Sequence, residues 1–349
     1  MNKSHSWILL IRPSKRLLFK TIALAAVIVL VTPSQGQVYT KLGAAGMKFL
    51  EVDANVRSAA MGGASTSLFD GVASMFQNPA GLAGVSGMDF SAATNVWIAD
   101  IRQHAIGVAV DLNKIGLGRL GGIIGASLLV MDNGNMIRTD FSQVTEEQSY
   151  YAYDDPYTIE EWAAGIAYAR RISDQFALGG HVKYAVQDFG EVDIYRDLED
   201  DTVSVANRLS PILFDFGTIY YTGFGDLRIS MSFRNFSQEL IYVNEKFELP
   251  ITMKIGVAMK VLSLNNDTNS LTVALDAEHP RDYQERINLG FEYRLWNLIL
   301  RTGYRFNHDE ESLSAGFGLH LGSVLRINYA YTAFGIFGAV QRISIAISS

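Results

Sequence analysis

Apolar and polar residues alternate with a period of two along most of the chain after Met88. The alternation is clearest at 227–234, where one face carries Leu227, Ile229, Met231 and Phe233 and the other carries Arg228, Ser230, Ser232 and Arg234. It returns at 254–260, 271–278, 286–294 and 325–331. Because successive side chains of a strand point to opposite faces, this pattern predicts an all-β fold.

Turn signals divide this region into fourteen predicted strands, most of them about ten residues long. They are 88–98, 103–112, 119–131, 158–171, 176–188, 210–221, 225–235, 252–261, 270–279, 285–295, 298–307, 312–320, 324–332 and 340–347. Strands of soluble proteins usually have about five or six residues, whereas a strand that crosses a bilayer needs about 9–11. The lengths therefore favour membrane-spanning strands.

Two folds suit the alternation: a soluble sandwich with its apolar face inside, and a closed barrel with its apolar face towards lipid. Aromatic residues near strand ends, such as Trp97, Trp162, Tyr221 and Trp296, favour the barrel. So do the connections, because short turns alternate with the long loops 132–157, 189–209 and 236–251. Strands in lipid must close so that every backbone group is paired. We predict a 14-stranded antiparallel transmembrane β-barrel over residues 88–349.

The preceding segment, residues 37–87, is rich in glycine and alanine and fits neither a regular helix nor a strand. The pair Gly62-Gly63 permits close backbone approach, and Asn78-Pro79 ends any helical turn before it. A lumen between those of 8-stranded and 16-stranded barrels needs something to fill it. We predict that this segment is a hatch inside the lumen.

Residues 1–36 have the pattern of a secretory signal peptide. Basic residues precede an apolar run at 21–31, which is too short to cross a bilayer. We expect cleavage before Gln37, export, and a location in the bacterial outer membrane.

The composition narrows the candidate functions. The 349-residue chain has a formal net charge of −7, so it shows no electrostatic footprint of nucleic-acid binding. It has no cysteine, which excludes a disulfide scaffold, a cysteine-ligated metal, a cysteine nucleophile and a lipoprotein anchor. We predict no cofactor and no metal site.

The polar faces of the predicted strands carry many charges that would line the lumen. The candidate lumen-lining residues are Arg228, Arg234, Lys254, Asp276, Glu278, Arg286, Glu292, Arg294, Arg301, Arg305, Arg326 and Arg342. Because acids and bases are interleaved, a lattice of ion pairs joining wall and hatch is favoured over a pathway for an anionic substrate. The excess of arginine keeps an amphiphilic ligand with an anionic headgroup as an alternative.

Catalysis has weak support in the sequence. Asp276 and Glu278 could suggest a hydrolase with paired carboxylates, but they are neighbours on one strand face with cations nearby. The histidines are scattered and no serine motif of the G-x-S-x-G type accompanies them. The literal G-x-G-x-x-G at 116–121 lies between two strands, so we interpret it as a turn. We predict that the protein is not an enzyme.

Two stretches carry a family resemblance: FLEVDANVRSAAMGGASTSL at 49–68 and NPAGLAGV at 78–85. They resemble the opening of the PorV/PorQ family of outer-membrane proteins, which is related in architecture to the FadL fatty-acid channels. The resemblance implies a 14-stranded barrel with an N-terminal hatch. It also implies that the hatch motif has a structural role, with the residues Met61, Gly62, Gly63, Ala64, Asn78, Pro79, Ala80 and Gly81.

The same resemblance implies two functions. One is an escort or assembly component of a type IX-like secretion system, with secretion-system proteins or exported cargo as partners. The other is a FadL-like channel for hydrophobic or amphiphilic small molecules. In both cases we expect contact with outer-membrane lipid and lipopolysaccharide and none with nucleic acid.

Overall fold

The computed structural model describes residues 45–140, 151–196, 201–242, 245–264, 268–308 and 311–349. Its strands are β1 (Met88–Val96), β2 (Arg102–Asp111), β3 (Ile123–Asp132), β4 (Met136–Asp140), β5 (Tyr151–Tyr157), β6 (Glu160–Ser173), β7 (Phe176–Arg196), β8 (Asp201–Leu209), β9 (Ile212–Tyr221), β10 (Arg228–Phe236), β11 (Leu240–Tyr242), β12 (Glu245–Phe247), β13 (Thr252–Leu264), β14 (Asn269–Pro280), β15 (Arg286–Leu295), β16 (Leu298–Phe306), β17 (Glu311–Leu321), β18 (Leu325–Phe334) and β19 (Ala339–Ser348). One short α-helix, α1, covers Val56–Ala60, and 3-10 turns cover Lys48–Leu50, Ala73–Phe76, Pro79–Gly84, Ile98–Asp100 and Gly335–Phe337.

Fourteen of these strands form a closed barrel. The main sheet has 15 strands in the order β6-β3-β2-β1-β19-β18-β17-β16-β15-β14-β13-β10-β9-β7-β8. A further antiparallel pairing of β6 with β7 closes the ring and leaves only β8 outside it. The first and last strands of the barrel meet in register from Asp89 opposite Ser348 to Val96 opposite Gln341. The predicted 14-stranded antiparallel barrel is confirmed.

The predicted strand boundaries need two corrections. The strand predicted at 119–131 begins only at Ile123, because residues 112–122 form a turn in which Gly116, Gly121 and Gly122 have φ values of 82°, 59° and 78°. The strand predicted to end at 188 continues to Arg196, because β7 goes on to pair with β8 beyond the barrel. Two small separate sheets, β4 with β5 and β11 with β12, form in the predicted long loops.

The barrel has its apolar side outside. On β10, Ile229 and Phe233 are 41% and 38% exposed, whereas Ser230 and Ser232 between them are 2% and 0% exposed. A cation on a lipid-facing position at mid-membrane would cost about 2–4 kcal/mol, so the charges lie on the inner face. The exposed Leu, Ile and Phe rows exclude the soluble sandwich, in which they would be buried.

Helices do not provide a membrane span in the described residues, since none is both long and apolar enough.

Residues 45–87, which we call the N-terminal segment, are mostly buried and form short turns with side-chain caps. Asn55 begins α1 by accepting a hydrogen bond from the Ser58 N–H at 3.0 Å. Asn78 begins the turn Pro79–Gly84 by accepting one from the Ala80 N–H at 3.0 Å. An asparagine oxygen at this position satisfies an N–H group that the turn leaves free.

Glycines of the barrel wall allow this segment to lie directly against the strands. A Cβ atom at Gly303 of β16 would overlap the backbone of Met61, and one at Gly179 of β7 would overlap the backbone of Pro79 and Ala80. The segment therefore contacts the inner face of the barrel at β16 and at β7. That it acts as a hatch stays a prediction. Residues 37–44 and the predicted signal peptide lie outside the described residues.

Candidate functional site: the polar lumen

The structure places all twelve candidate lumen-lining residues on barrel strands. Six are buried: Arg234, Lys254, Asp276, Glu292, Arg301 and Arg342. Six are half-buried: Arg228, Glu278, Arg286, Arg294, Arg305 and Arg326. They do not form one cluster, because most of them pair locally with a neighbouring strand or with the N-terminal segment.

The strongest contact between segment and wall involves a carboxylate held by two guanidinium groups. Arg57 of α1 binds Glu292 of β15 through Nε and Nη2, at 2.7 and 2.6 Å. Arg301 of β16 binds the same carboxylate through Nε at 2.7 Å, and its Nη1 donates to Asn328 at 2.8 Å. Bidentate charge-assisted bonds of this kind are about twice as strong as neutral ones. Glu292 therefore fixes α1 to this part of the wall.

Asp276 of β14 holds the segment by its backbone. Its Oδ2 accepts hydrogen bonds from the Ser65 N–H at 2.9 Å, the Thr66 N–H at 2.9 Å and the Thr66 hydroxyl at 2.6 Å. Its neighbour Glu278 instead binds Lys254 at 3.0 Å. The two carboxylates considered for hydrolysis thus have separate partners and separate structural tasks.

A third contact joins the segment to the seam between the first and last strands. Asp89 of β1 accepts two bonds from Arg326 Nη2, at 3.0 and 2.9 Å, and one from the Val72 N–H at 3.1 Å. Asp89 was missing from the predicted residues. Its inward position follows from the alternation along β1, so the same pattern that revealed Arg326 could have revealed it.

The hatch-motif residues lie where the segment contacts the wall. Met61, Gly62, Gly63 and Ala64 form a turn after α1 in which Gly62 and Gly63 have φ values of 64° and 83°. A Cβ at Gly62 would lie 2.8 Å from the Tyr304 backbone nitrogen. The second motif, Asn78, Pro79, Ala80 and Gly81, lies against β7 and β9, where Asn78 donates to the Thr218 carbonyl at 3.2 Å.

Sequence reasoning missed a buried cluster on β3, β7 and β9. Lys183 binds Asp215 at 2.7 Å, His181 Nδ1 lies 3.4 Å from the same carboxylate, and His181 Nε2 lies 2.9 Å from the Ser127 hydroxyl. The Asn235 N–H also donates to Asp215 at 2.7 Å. These residues are far apart in the sequence, and only the strand register brings them together.

One titratable group lies outside the strands at the mouth of the lumen. His308 follows β16, and its Nδ1 accepts a hydrogen bond from the Glu311 N–H at 3.2 Å. Burial, together with the positive charges of Arg286 and Arg305, lowers the pKa of His308 to about 3. The imidazole is therefore neutral at ordinary pH.

Cavities between segment and wall are small. One is lined by Leu50, Phe76, Leu129, His181 and Asp215 among others, and a second by Val56, Asp70, Ser91 and Asn328 among others. Each has room for about one water molecule. In the described residues, no group of three or more His, Asp or Glu residues is arranged to hold a metal ion.

A closed barrel with an apolar outer face and a polar lumen occupied by its own N-terminal segment defines the class: an outer-membrane-type β-barrel protein. Residues 150–334 match the family described as type IX secretion system membrane protein PorP/SprF, and the chain belongs to this family. The resemblance to type IX secretion proteins is thus confirmed at this coarser level. The matching family is described as PorP/SprF, and the match does not name PorV/PorQ.

Solved structures with the same fold include hydrocarbon transporters. The toluene transporter TodX of Pseudomonas putida is 15% identical, with a TM-score of 0.57, and the match covers 84% of this chain and 95% of TodX. The toluene transporter TbuX of Ralstonia pickettii is 14% identical, with a TM-score of 0.54, over 84% and 96% of the two chains. Such identities show a shared fold alone. No curated protein gives a significant match.

Proposed function

We propose that this protein is a non-enzymatic outer-membrane component of a type IX secretion system that acts by assembling with other proteins. The observation that carries the proposal is the match of residues 150–334 to the PorP/SprF family. The matched range runs from β5 to β18 and so includes most of the barrel wall. Fold and family both agree with an outer-membrane location.

The filled lumen favours a role in assembly over the transport of molecules through the barrel. The segment is bound to the wall through Glu292, Asp276 and Asp89, and the two cavities described beside it each have room for about one water molecule. A barrel filled in this way offers a rigid surface to partners. A finer role, the PorV/PorQ-like escort of secreted cargo, fits the resemblance of the segment and is part of the proposal.

An alternative is a channel for hydrophobic or amphiphilic molecules. The shared fold with the toluene transporters supports it. The two functions differ in whether the N-terminal segment must move. Transport through the lumen requires the segment to move, and assembly does not.

Catalysis is not part of the proposal. Ser127, His181 and Asp215 follow one another in the order of a hydrolase triad, but Asp215 is bound to Lys183 and to the Asn235 N–H. The adjacent cavity has room for about one water molecule, which is too little for an ester substrate.

Deletion of the gene in its host tests the proposal. We expect retention of type IX substrates in the periplasm and recovery of secretion-system proteins with the affinity-tagged barrel. Normal secretion by the deletion strain, with no secretion protein recovered on the tagged barrel, would refute an assembly role. A loss of hydrocarbon uptake with normal secretion would favour the channel.

A further inference from the structure

The connection between β2 and β3 is a structured turn at the end of the barrel that has the short connections. It covers residues 112–122, which we call the β2–β3 turn, and the short connections at 296–297 and 322–324 lie at the same end. Backbone hydrogen bonds close the turn, from the Leu112 N–H to the Gly122 carbonyl at 3.1 Å and from the Leu117 N–H to the Leu112 carbonyl at 3.0 Å. In outer-membrane barrels the short connections mark the periplasmic end.

One aromatic side chain holds the β2–β3 turn against the lipid-facing side of β6. Tyr168 belongs to the outer row of β6 and is 41% exposed, whereas its neighbours Ala167 and Ala169 are fully buried. Its hydroxyl oxygen lies 3.2 and 3.1 Å from the carbonyl oxygens of Leu120 and Gly121 and donates to this pair. The turn therefore folds over the outer face of the wall and not below the lumen.

Glycine at position 122 permits this close contact. A Cβ atom at Gly122 would lie 2.9 Å from the Tyr168 hydroxyl oxygen and 2.6 Å from the Ala169 carbonyl oxygen. Its φ of 78° is also in the region that favours glycine. A larger residue would push the turn away from β6.

The turn presents large apolar side chains to its surroundings. Ile115, Leu117 and Leu120 are 52%, 49% and 61% exposed. They continue the lipid-facing rows of the wall, because Ile124 of β3 lies opposite Tyr168 of β6 next to the turn, and both are 41% exposed. An apolar surface of this kind marks a contact with a partner or with a membrane. Its continuity with the lipid-facing wall favours lipid.

Three cations accompany these apolar side chains, and none of them has a carboxylate partner in the described ranges of the chain. Lys114 and Arg119 are exposed residues of the turn itself. Arg170 is exposed on the same outer row of β6 as Tyr168, and its Nη1 donates to the Leu120 carbonyl at 3.4 Å. The whole chain has a net charge of −7, so the positive charge of this surface is a local feature.

The acid that begins the turn does not neutralise these cations. Asp111 Oδ1 accepts hydrogen bonds from the Asn113 N–H and Nδ2, both at 2.9 Å. The turn between β9 and β10 at the same end differs, because its Asp226 is paired with Arg228 at 3.6 Å. Each basic residue near an anionic membrane surface strengthens binding to it about fivefold. The β2–β3 turn is therefore suited to an anionic headgroup.

We propose that the β2–β3 turn, together with Arg170, binds an anionic phospholipid of the periplasmic leaflet. Lys114, Arg119 and Arg170 contact the phosphate group, and the three apolar side chains of the turn contact the acyl chains beside it. Phosphatidylglycerol has the required net negative charge, whereas phosphatidylcholine has the same phosphate but no net charge. The site goes beyond the proposed secretion function and does not depend on it.

Lipid retention by the purified protein tests the proposal. The protein in mild detergent is mixed with equal amounts of phosphatidylglycerol and phosphatidylcholine that have the same acyl chains, and the retained lipid is measured by native mass spectrometry. We expect at least fivefold more phosphatidylglycerol than phosphatidylcholine to be retained. The preference should decrease at high salt, because salt screens exposed charges.

Charge variants assign the retained lipid to the turn. The double variant Lys114→Gln with Arg119→Gln should lose most of the preference for phosphatidylglycerol. Arg208→Gln with Lys246→Gln is the matched control, because it removes the same charge from two exposed residues at the end with the long connections. All four side chains are exposed, so we expect both double variants to fold, and heat-modifiable migration in gels checks this.

A spin label measures where the turn lies. The chain has no cysteine, so a nitroxide can be placed on Leu117→Cys alone. In phosphatidylglycerol vesicles we expect this label to be more accessible to oxygen than to a water-soluble nickel complex. A label on Lys246→Cys should show the reverse, since that residue lies in the connections at the other end.

The result that supports the proposal is a preference for phosphatidylglycerol that the turn variant loses and the control variant keeps. Equal retention of the two lipids, or an equal loss in the control variant, would overturn the site. A Leu117 label that the nickel complex reaches freely would also overturn it and would leave the surface to an acidic protein partner. None of these outcomes depends on type IX secretion by the deletion strain, so the two proposals fail separately.

Discussion

The N-terminal segment meets two parts of the barrel wall in contrasting ways. At β14–β16, Glu292 is held by Arg57 and Arg301, and Asp276 is held by the backbone of the segment. At β2, β1 and β19, the neighbouring side chains of Gln103, Asn95 and Arg342 contact the segment through Gln103, and five of their polar atoms have no hydrogen-bond partner in the described part of the chain. We call these parts the anchored wall and the unpaired wall.

The difference determines how much each wall contributes to the stability of the folded protein. Removal of the segment would take Arg57 away from Glu292, and a buried charge that loses its partner costs free energy. A buried polar group without a partner costs free energy in the folded protein and gains it when a partner arrives. The anchored wall therefore keeps the segment in place, and the unpaired wall contributes less to holding it.

Loss of Glu292 should have the largest effect. Glu292→Gln leaves Arg57 and Arg301 without their shared counter-charge, so we expect a loss of about 3–5 kcal/mol in the free energy of unfolding. Urea titration of the barrel in detergent measures it. The double variant Glu292→Gln with Arg57→Met should lose less than the sum of the single variants. A change below about 1 kcal/mol in Glu292→Gln would contradict the anchored wall.

Two adjacent glycines of β7 test the close approach of the segment. Gly179→Ala places a Cβ against the backbone of Pro79 and Ala80, and we expect a loss of about 1–3 kcal/mol. Gly180→Ala is the matched control, because its Cβ would meet nothing closer than the Asp215 carbonyl oxygen at 3.9 Å. The same urea titration applies to both. Equal stabilities of the two variants would show that the segment does not rest on β7.

The unpaired wall should respond in the opposite direction. Asn95→Leu removes two buried atoms that have no partner, so we expect a gain of up to about 1 kcal/mol in the free energy of unfolding. Asn328→Leu provides the contrast, because Asn328 accepts from Arg301 at 2.8 Å and donates to Ser344 at 3.2 Å. It should lose about 1–3 kcal/mol. If both asparagine variants lose stability equally, Asn95 has partners and the contrast fails.

Features that depend on neighbouring residues could be predicted from the sequence. Features that depend on contacts between distant residues could not. The faces of β10 follow from the period of two, which predicts that Ser230 and Arg234 share the inner face, and both side chains are buried in the structure. Asp89 follows the same rule, although it is not among the predicted lumen-lining residues. The contact of Lys183 with Asp215 and the position of Asn95 opposite Arg342 depend on strand register and ring closure, which bring distant residues together.

The role of the glycines in the barrel wall could not be predicted from the sequence either. Gly179 and Gly303 look like weak points of a strand in the sequence, since glycine packs poorly there. Their purpose is visible only once Pro79 and Met61 are found against them. The glycines of the turn at 112–122 predict only part of it, because nothing local separates Arg119 from the strand that begins at Ile123.

The pH dependence of stability tests His308, which lies beside Glu311 near the unpaired wall. Its lowered pKa of about 3 means that the unfolded chain takes up a proton near pH 6.5, while the folded protein resists it until about pH 3. Stability should therefore fall as the pH is lowered through this window. His308→Asn should reduce that fall in the urea midpoint. An unchanged pH profile would show that His308 is not held neutral.

The central claim, that the N-terminal segment occupies the lumen against the inner wall, can be tested by disulfide cross-linking. The hydroxyl oxygens of Ser67 in the segment and Ser230 in β10 are 2.5 Å apart, close to the length of a disulfide of about 2.05 Å, and the chain has no cysteine of its own. In cells, we expect Ser67→Cys with Ser230→Cys to form an intramolecular disulfide in nearly all molecules, and Ser67→Cys with Ser344→Cys to form none. Free thiols in the first pair, with a folded barrel in the membrane, would contradict the account.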